Sequence, residues 1–194
     1  MAFTSENSFT DRQLVNRVLS GDARAFVLII KNTEGLVIQI ICRMINRVED
    51  RKDLMQDVYL KTYNCLKSFK FNAKLSTWVG QIAYNACLNY LEKKKLVLPG
   101  ELHSQENYSG NEFHEIEAEV ILTKKALSTI LAAEIEKLST LHKTLIVLYH
   151  QEELSYADIA QITNLPEGTV KNYLFRARKK LKENILAKYK KEEL

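Results

Sequence analysis

The sequence predicts an all-α protein with two helical domains joined by a flexible linker. Apolar residues recur three and four positions apart over most of the chain, which is the period of an amphipathic helix. The 194 residues include six Gly and two Pro, too few for a turn-rich β fold, and the apolar fraction of 46% is enough for packed cores. An acidic segment in the middle of the chain lacks this periodicity and separates the two domains.

The N-terminal domain, residues 8–95, is predicted to be a bundle of helices. Thr10 and Gln13 have the spacing of a capping box, which marks the start of the first helix. Periodicity predicts further helices over residues 23–32, from residue 34 and over 51–66, and Ser76 is the expected cap of a last helix to about residue 95. The side chains expected to be buried in the last two helices are Leu54, Val58, Leu60, Tyr63, Leu66, Trp78, Val79, Ile82, Ala83, Ala86 and Tyr90.

The candidate binding residues of this domain fall on three surfaces. One is the outward face of the helix over 51–66, another is an aromatic loop over 67–75, and the third is a ridge on the last helix. Amides at a spacing of four residues can pair with base edges, and lysines can pair with phosphates, although an ordinary solvated face is the alternative. The three sets are Asp50, Asp53, Gln56 and Asp57; Phe69, Phe71 and Asn72; and Gln81, Asn85, Asn89, Lys93 and Lys94.

Residues 96–125 are predicted to be an acidic, flexible linker. Pro99-Gly100 opens it, and the stretch from residue 101 to 119 contains six Glu and no Lys or Arg. Such a composition cannot bury a core, so we expect the two domains to adopt several relative positions.

The C-terminal domain, residues 126–190, has the pattern of a DNA-binding helix-turn-helix. Ser155 and Asp158 form a capping box, Asn164-Leu165 is the turn, and Pro166 suits the start of the second helix. From residue 167 to 191 there are nine Lys or Arg and two Glu, although a helical hairpin with an incidentally basic face is the alternative. Val170, Leu174, Ala177 and Leu181 are the expected buried seam, and Thr169, Lys171, Asn172, Phe175, Arg176 and Lys179 are expected to face outward.

Other classes of function find little support. Cys42, Cys65 and Cys87 form no CxxC pair, and no HExxH motif, Gly-rich phosphate loop or nucleophile elbow is present. We therefore expect no metal, no cofactor and no catalysis. The N-terminus lacks a signal-peptide pattern. The apolar stretches 25–30 and 36–42 are separated by Lys31, Asn32 and Glu34 and neither could span a bilayer, so a cytosolic protein without membrane insertion is expected.

Two sets of residues resemble a known family. Tyr156-Ala-Asp-Ile-Ala160, followed by Leu165-Pro-Glu-Gly-Thr-Val-Lys171 and Arg176-Ala-Arg178, closely resembles region 4 of bacterial sigma factors of the extracytoplasmic-function (ECF) group. Residues 50–63 resemble region 2.2, and residues 76–91 resemble regions 2.3 and 2.4. The chain departs from the usual family pattern at Leu138-Ser139 in place of Leu-Pro, at His142 in place of Arg, at Asn172-Tyr173 in place of Ser-Arg and at Asn89 in place of Asp.

The resemblance implies an alternative sigma factor that directs RNA polymerase to promoters. It implies docking of Asp53, Gln56 and Asp57 on the β′ clamp helices of core RNA polymerase, with the β flap, promoter DNA and an anti-sigma factor as further partners. The −10 element would be opened by the aromatic loop and the ridge, and the −35 element would be bound by the outward residues of the second helix. The linker would follow the polymerase cleft or simply be solvated.

Three other functions are compatible with parts of the sequence. A conventional helix-turn-helix repressor or activator would need a sensing domain in the N-terminal half. An enzyme would need a catalytic constellation, and His103, His114, His142 and His150 are scattered along the chain. A protein-interaction adaptor would leave the basic helix unexplained.

Overall fold

The structure, a computed structural model, describes the backbone of residues 9–97 and 119–192 and the side chains of residues 9–94 and 128–187. Regular structure within these ranges is entirely helical, which confirms the all-α prediction. Residues 98–118 of the predicted linker lie outside the described part of the chain. The eight α-helices are α1 (Asp11–Leu19), α2 (Ala23–Met44), α3 (Val48–Cys65), α4 (Leu75–Val97), α5 (Glu119–Glu136), α6 (Thr140–His150), α7 (Tyr156–Thr163) and α8 (Glu167–Glu192), with a 3-10 turn at Leu66–Ser68.

The first helix begins where its cap predicts. The Thr10 side chain accepts a hydrogen bond from the Gln13 backbone N–H, and the Gln13 side chain accepts one from Thr10, so the capping box is complete. Asp22 then caps α2 by accepting from the N–H groups of Arg24 and Ala25.

The prediction of two helices over residues 23–45 is wrong, because α2 is continuous from Ala23 to Met44. Thr33 lies where a break was expected, but it is buried, and its Oγ1 donates to the Ile29 carbonyl at 2.7 Å, within the same helix. By length and composition alone, α2 could cross a membrane, with a mean hydropathy of 1.7. It is instead the central helix of the bundle and contacts α1, α3, α4 and α6, which accounts for its apolar character.

The buried face of α3 differs from the expected one at two positions. Leu54 and Val58 are buried as predicted, but Leu60 is 62% exposed and Tyr63 is 53% exposed. A spacing of four residues from Leu54 continues to Val58 and Thr62, so Leu60 and Tyr63 lie off this stripe. Tyr63 packs edge-on against Phe26 of α2 at the surface.

α4 begins at Leu75, one residue before the Ser76 cap that the sequence suggested. The Asp11 carboxylate accepts a hydrogen bond from the Leu75 backbone N–H at 2.7 Å, so α1 satisfies a free donor at the start of α4. This long-range cap cannot be recognised from local spacing, since the two residues are 64 positions apart. The apolar face of α4 joins the core of the bundle, with Val79 and Ala83 fully buried and Trp78 partly buried.

The C-terminal helices form the predicted helix-turn-helix. The Ser155 side chain caps α7 by accepting from the Asp158 N–H, and Asn164 ends α7 in the left-handed conformation with φ of 56°. The Asn164 turn leads to Pro166, whose carbonyl accepts hydrogen bonds from the first turn of α8. The predicted seam of α8 is confirmed, with Val170, Leu174, Ala177 and Leu181 all buried.

The two helical units pack directly against each other, although the sequence predicted several relative positions. Helix α4 lies along α7, and α2 lies along α6. Polar contacts link the two units. Thr77 Oγ1 of α4 donates to Asp158 Oδ1 of α7 at 2.9 Å, and Lys74 Nζ lies 3.8 Å from Asp158 Oδ2. A second tie is the ion pair between Arg43 of α2 and Glu136 of α5.

Candidate promoter and polymerase interfaces

The outward face of α8 carries the residues predicted to bind DNA. Phe175 is 66% exposed although it is a large aromatic side chain, and Lys171, Asn172, Arg176 and Lys179 are exposed around it. Thr169 is half-buried at the start of the helix. A helix with this basic, protruding face has the shape and charge that the major groove accepts.

Lys171 is held at the start of this face by two partners. Its Nζ lies 2.6 Å from Glu167 Oε1 and 5.3 Å from the centre of the Tyr156 ring. The hydrogen bond to Glu167 raises the pKa of Lys171, and the charge of Glu167 adds to this effect. Lys171 is therefore charged at neutral pH and lies between the start of α8 and the start of α7.

A cluster of aromatic and basic residues lies beside this face, and sequence reasoning missed it as a cluster. Tyr149 and Tyr156 stack with ring centres 4.9 Å apart, and the Arg178 guanidinium lies 4.8 Å from the Tyr149 ring centre. Arg178 Nε also donates to His150 Nε2 at 3.2 Å. Burial and the nearby Arg178 charge lower the pKa of His150, so Arg178 carries the positive charge of this cluster at neutral pH.

Three of the departures from the usual family pattern contact one another. Ser139 Oγ accepts from the His142 N–H at 3.4 Å and lies 3.1 Å from His142 Nδ1. The His142 ring packs edge-on against Tyr173, with ring centres 5.5 Å apart. Tyr173 is therefore half-buried in the body of the domain, and of the Asn172-Tyr173 pair only Asn172 is exposed.

The ridge on α4 is divided between solvent and the C-terminal unit. Asn89 and Lys93 are exposed as predicted, whereas Gln81 and Asn85 are half-buried and contact Asn164. Lys94 is half-buried, with its Nζ 3.7 Å from Asp50 Oδ2 and 5.3 Å from the Tyr90 ring centre. The sequence placed these residues on one face but could not show that part of this face is covered.

The aromatic loop before α4 presents one ring and not two. Phe69, which the sequence predicts as part of the −10 loop, is 7% exposed and packs under Phe71 and Trp78, with ring centres 4.7 Å and 5.1 Å away, so its ring lies beneath the loop surface. Phe71 is half-exposed in the left-handed region with φ of 57°, and the Arg12 guanidinium lies 4.8 Å from its ring centre. Asn72 is exposed beside it.

The predicted docking face on α3 consists of Asp53, Gln56 and Asp57, and all three side chains are exposed. Asp50, which the sequence placed on the exposed side of this helix, is half-buried instead. Its carboxylate accepts a hydrogen bond from the Tyr90 hydroxyl, which lowers the pKa of Asp50, and the charges of Arg47 and Lys94 lower it further against the opposing effect of burial. Asp50 therefore links α3 to α4.

Comparison with known proteins assigns the family. Residues 29–97 match the sequence model described as Sigma-70 region 2, and residues 128–181 match Sigma-70, region 4. The chain is 34% identical over 181 residues to the ECF RNA polymerase sigma-E factor of Haemophilus influenzae, covering 91% of this chain and 95% of that protein. The chain belongs to the ECF sigma factors. It is also 31% identical to the ECF RNA polymerase sigma factor SigW of Bacillus subtilis, covering 90% of this chain and 96% of the relative.

Solved structures of low sequence identity share the fold of this ECF sigma factor. CnrH in complex with the cytosolic domain of CnrY has a TM-score of 0.62 at 21% identity, covering 91% of this chain and 97% of that chain. The sigma factor RpoE of Bartonella quintana, solved with the anti-sigma factor NepR, has a TM-score of 0.63 at 18% identity, covering 86% and 96%.

Proposed function

We propose that this ECF sigma factor binds core RNA polymerase in the cytoplasm and directs it to specific promoters, without an enzymatic activity of its own. The observation that carries the proposal is the presence of both sigma regions in one chain, in family order, together with an exposed basic helix in the second. A repressor with a sensing domain does not account for region 2, which occupies residues 29–97.

Binding to the −35 element is assigned to α8. Phe175 and Asn172 would contact base edges, and Lys171, Arg176 and Lys179 would contact phosphates; all five side chains are exposed. Thr169 stands half-buried at the N-terminal end of the helix, where a recognition helix approaches the groove.

Opening of the −10 element is assigned to the loop before α4 and to the ridge on α4. The half-exposed Phe71 ring offers a stacking surface for an unpaired base, and Asn72 offers an amide beside it. Asn85 and Asn89 would contact bases of the separated strand, and Lys93 and Lys94 would contact its phosphates. Phe69 supports the Phe71 ring from below.

Docking on the β′ clamp helices is assigned to Asp53, Gln56 and Asp57. The two carboxylates and the amide lie on one exposed face of α3. The β flap is the proposed partner of the C-terminal unit. An anti-sigma factor completes the set of proposed partners, since RpoE of Bartonella quintana was solved with one.

Transcription in vitro tests the proposal. Core RNA polymerase supplemented with the purified chain should initiate at a subset of promoters from a genomic library, and core polymerase alone should not. Asp53→Ala with Asp57→Ala should reduce initiation and holoenzyme formation while the helical content by circular dichroism stays unchanged. Holoenzyme formation equal to that of the wild type would refute the docking assignment, and no initiation by the wild-type chain would refute the function.

A further inference from the structure

The polar contact between α4 and the turn of the helix-turn-helix has an unusual form. Gln81 Nε2 donates to Asn164 Oδ1 at 2.6 Å, and Asn164 Nδ2 donates to Asn85 Oδ1 at 3.2 Å. One carboxamide therefore accepts from one ridge residue and donates to the next. Gln81 and Asn85 are four residues apart, so their side chains lie about 6 Å apart along one face of the helix.

This arrangement has the chemistry of a site for a nucleobase. A carboxamide presents one acceptor and one donor side by side, and the Watson–Crick edge of a nucleobase presents the same pair of groups. The Gln81–Asn85 pair satisfies both groups of Asn164, so it offers one donor and one acceptor to a ligand that presents the complementary pair. Watson–Crick edges are accessible only in unpaired strands, where proteins bind bases by such contacts.

The backbone role of Asn164 does not require this side-chain contact. Asn164 ends α7 in the left-handed conformation, and its backbone N–H donates to the Ala160 carbonyl. Glycine adopts this conformation at least as readily, so the cap needs no side chain. The Asn164 carboxamide is thus available for the contact with α4. Its hydrogen bond to Asn85 joins the two helical units, since these residues are 79 positions apart in the chain.

We propose that Gln81 and Asn85 form a binding site for the Watson–Crick edge of an unpaired DNA base. Where the two helical units pack against each other, the Asn164 side chain occupies this site in place of the base. The inference rests on the proposed −10 function of the α4 ridge and adds Gln81 to it. Asn89 and Lys93 continue the ridge in solvent and would hold the neighbouring nucleotides. The outward residues of α8 take no part in the contact. Occupation of the Gln81–Asn85 site by Asn164 should therefore weaken single-strand binding and leave −35 binding unchanged.

Single-strand binding by the full chain tests this inference. The probe is a fluorescently labelled single-stranded DNA of mixed sequence, and its affinity is measured by fluorescence anisotropy. Asn164→Gly should raise the affinity about tenfold, because two competing hydrogen bonds are removed. Adding Gln81→Ala to Asn164→Gly should abolish the gain, since the base then loses one of its two partners.

Binding of a duplex that carries the −35 element provides the control. Asn164→Gly should leave that affinity unchanged, which shows that the turn and α8 remain folded. An unchanged single-strand affinity in Asn164→Gly, or a gain that survives Gln81→Ala, would overturn the inference. Failure of the proposed function would appear separately, as a wild-type chain that does not support initiation by core polymerase.

Discussion

At the residue scale, three of the departures from the family pattern, Ser139, His142 and Tyr173, contact one another. Ser139 caps α6, its hydroxyl lies beside the His142 ring, and that ring packs on Tyr173. Asn172 is therefore the departure that remains exposed on α8. The promoter preference of this sigma factor should depend on Asn172, whereas Ser139, His142 and Tyr173 contribute to packing within the C-terminal unit.

Two basic side chains on α8 give a prediction about DNA binding. Lys171→Ala with Arg176→Ala should weaken binding to a −35 duplex by at least about tenfold and reduce the slope of log K against log salt by about 2, because two phosphate contacts no longer release counterions. Titrations at several salt concentrations measure both quantities. Arg24→Ala with Lys31→Ala removes the same charge from exposed positions on α2 and is the control. Equal losses in the two double variants would contradict the assignment of α8.

The three cysteines give a second prediction at this scale. Burial raises the pKa of the Cys87 thiol to about 12, and the neighbouring Cys42 adds to the shift, whereas Cys65 is half-exposed. Alkylation at about pH 8, followed by mass spectrometry, should modify Cys65 and leave Cys87 unmodified, since the thiolate is the reactive form. All three should react in denaturant, and modification of Cys87 at the rate of Cys65 in the folded chain would contradict its burial.

At the scale of elements, Gly80 sets the approach of α4 to α7. A Cβ at Gly80 would lie 3.2 Å from Cδ1 of Ile162 and 3.2 Å from Cδ2 of Leu36, so the position has no room for a larger side chain. Ile162 belongs to α7 and is fully buried. The close packing of the two units thus depends on a residue without a side chain in the middle of a helix.

Replacement of Gly80 by leucine should separate the two units. Overpacking typically costs about 1–3 kcal/mol, and moving α7 away from α4 relieves part of it. We expect a lower free energy of unfolding and a larger radius of gyration by small-angle X-ray scattering. Gly35→Leu is the matched control, because it makes the same exchange within a helix where no atom beyond the adjoining residues and the local helix backbone lies within 4 Å of the added Cβ. Identical scattering and stability in the two variants would refute the packing at Gly80.

At the scale of the whole molecule, the packing of the two units should depend on pH through Asp158, which contacts Thr77 and Lys74 across the interface. Burial raises the pKa of Asp158, but hydrogen bonds from Ser155 and Thr77 and the charge of Lys74 outweigh it, so the pKa lies below the ordinary value of an aspartate. A carboxyl group with a lowered pKa in the folded state stabilises that state above its unfolded pKa. This contribution is lost as the pH falls through the folded value.

Comparison with Thr77→Val isolates this contribution. Thr77 donates to Asp158 across the interface, and valine keeps its shape without the donor. Between about pH 6 and about pH 2, the free energy of unfolding should fall less steeply in Thr77→Val than in the wild type, because the pKa of Asp158 moves back toward its ordinary value. Denaturant titrations at each pH measure the difference, and superimposable pH profiles would rule out the coupling.

Much of the fold follows from local sequence. The caps at Thr10 and Ser155, the turn at Asn164 and the buried seam of α8 are short-range patterns, and each lies where it was predicted. The break near Thr33 was wrong because a buried threonine can bond back to its own helix, which local polarity does not reveal. Leu60 and Tyr63 were misplaced because a helix can keep apolar residues on a surface outside its core stripe.

The sequence by itself determined the family, the helical class and the exposure of Lys171, Asn172, Phe175, Arg176 and Lys179 on α8, since these depend on motifs and on periodicity within single helices. Only the tertiary structure decided what covers the α4 ridge, how Asp11 caps α4 and how Asp158 is held. Each of these contacts joins residues more than sixty positions apart. Their partners are set by how the helices pack, and a chain of amphipathic helices specifies its own faces more directly than the pairing of those faces.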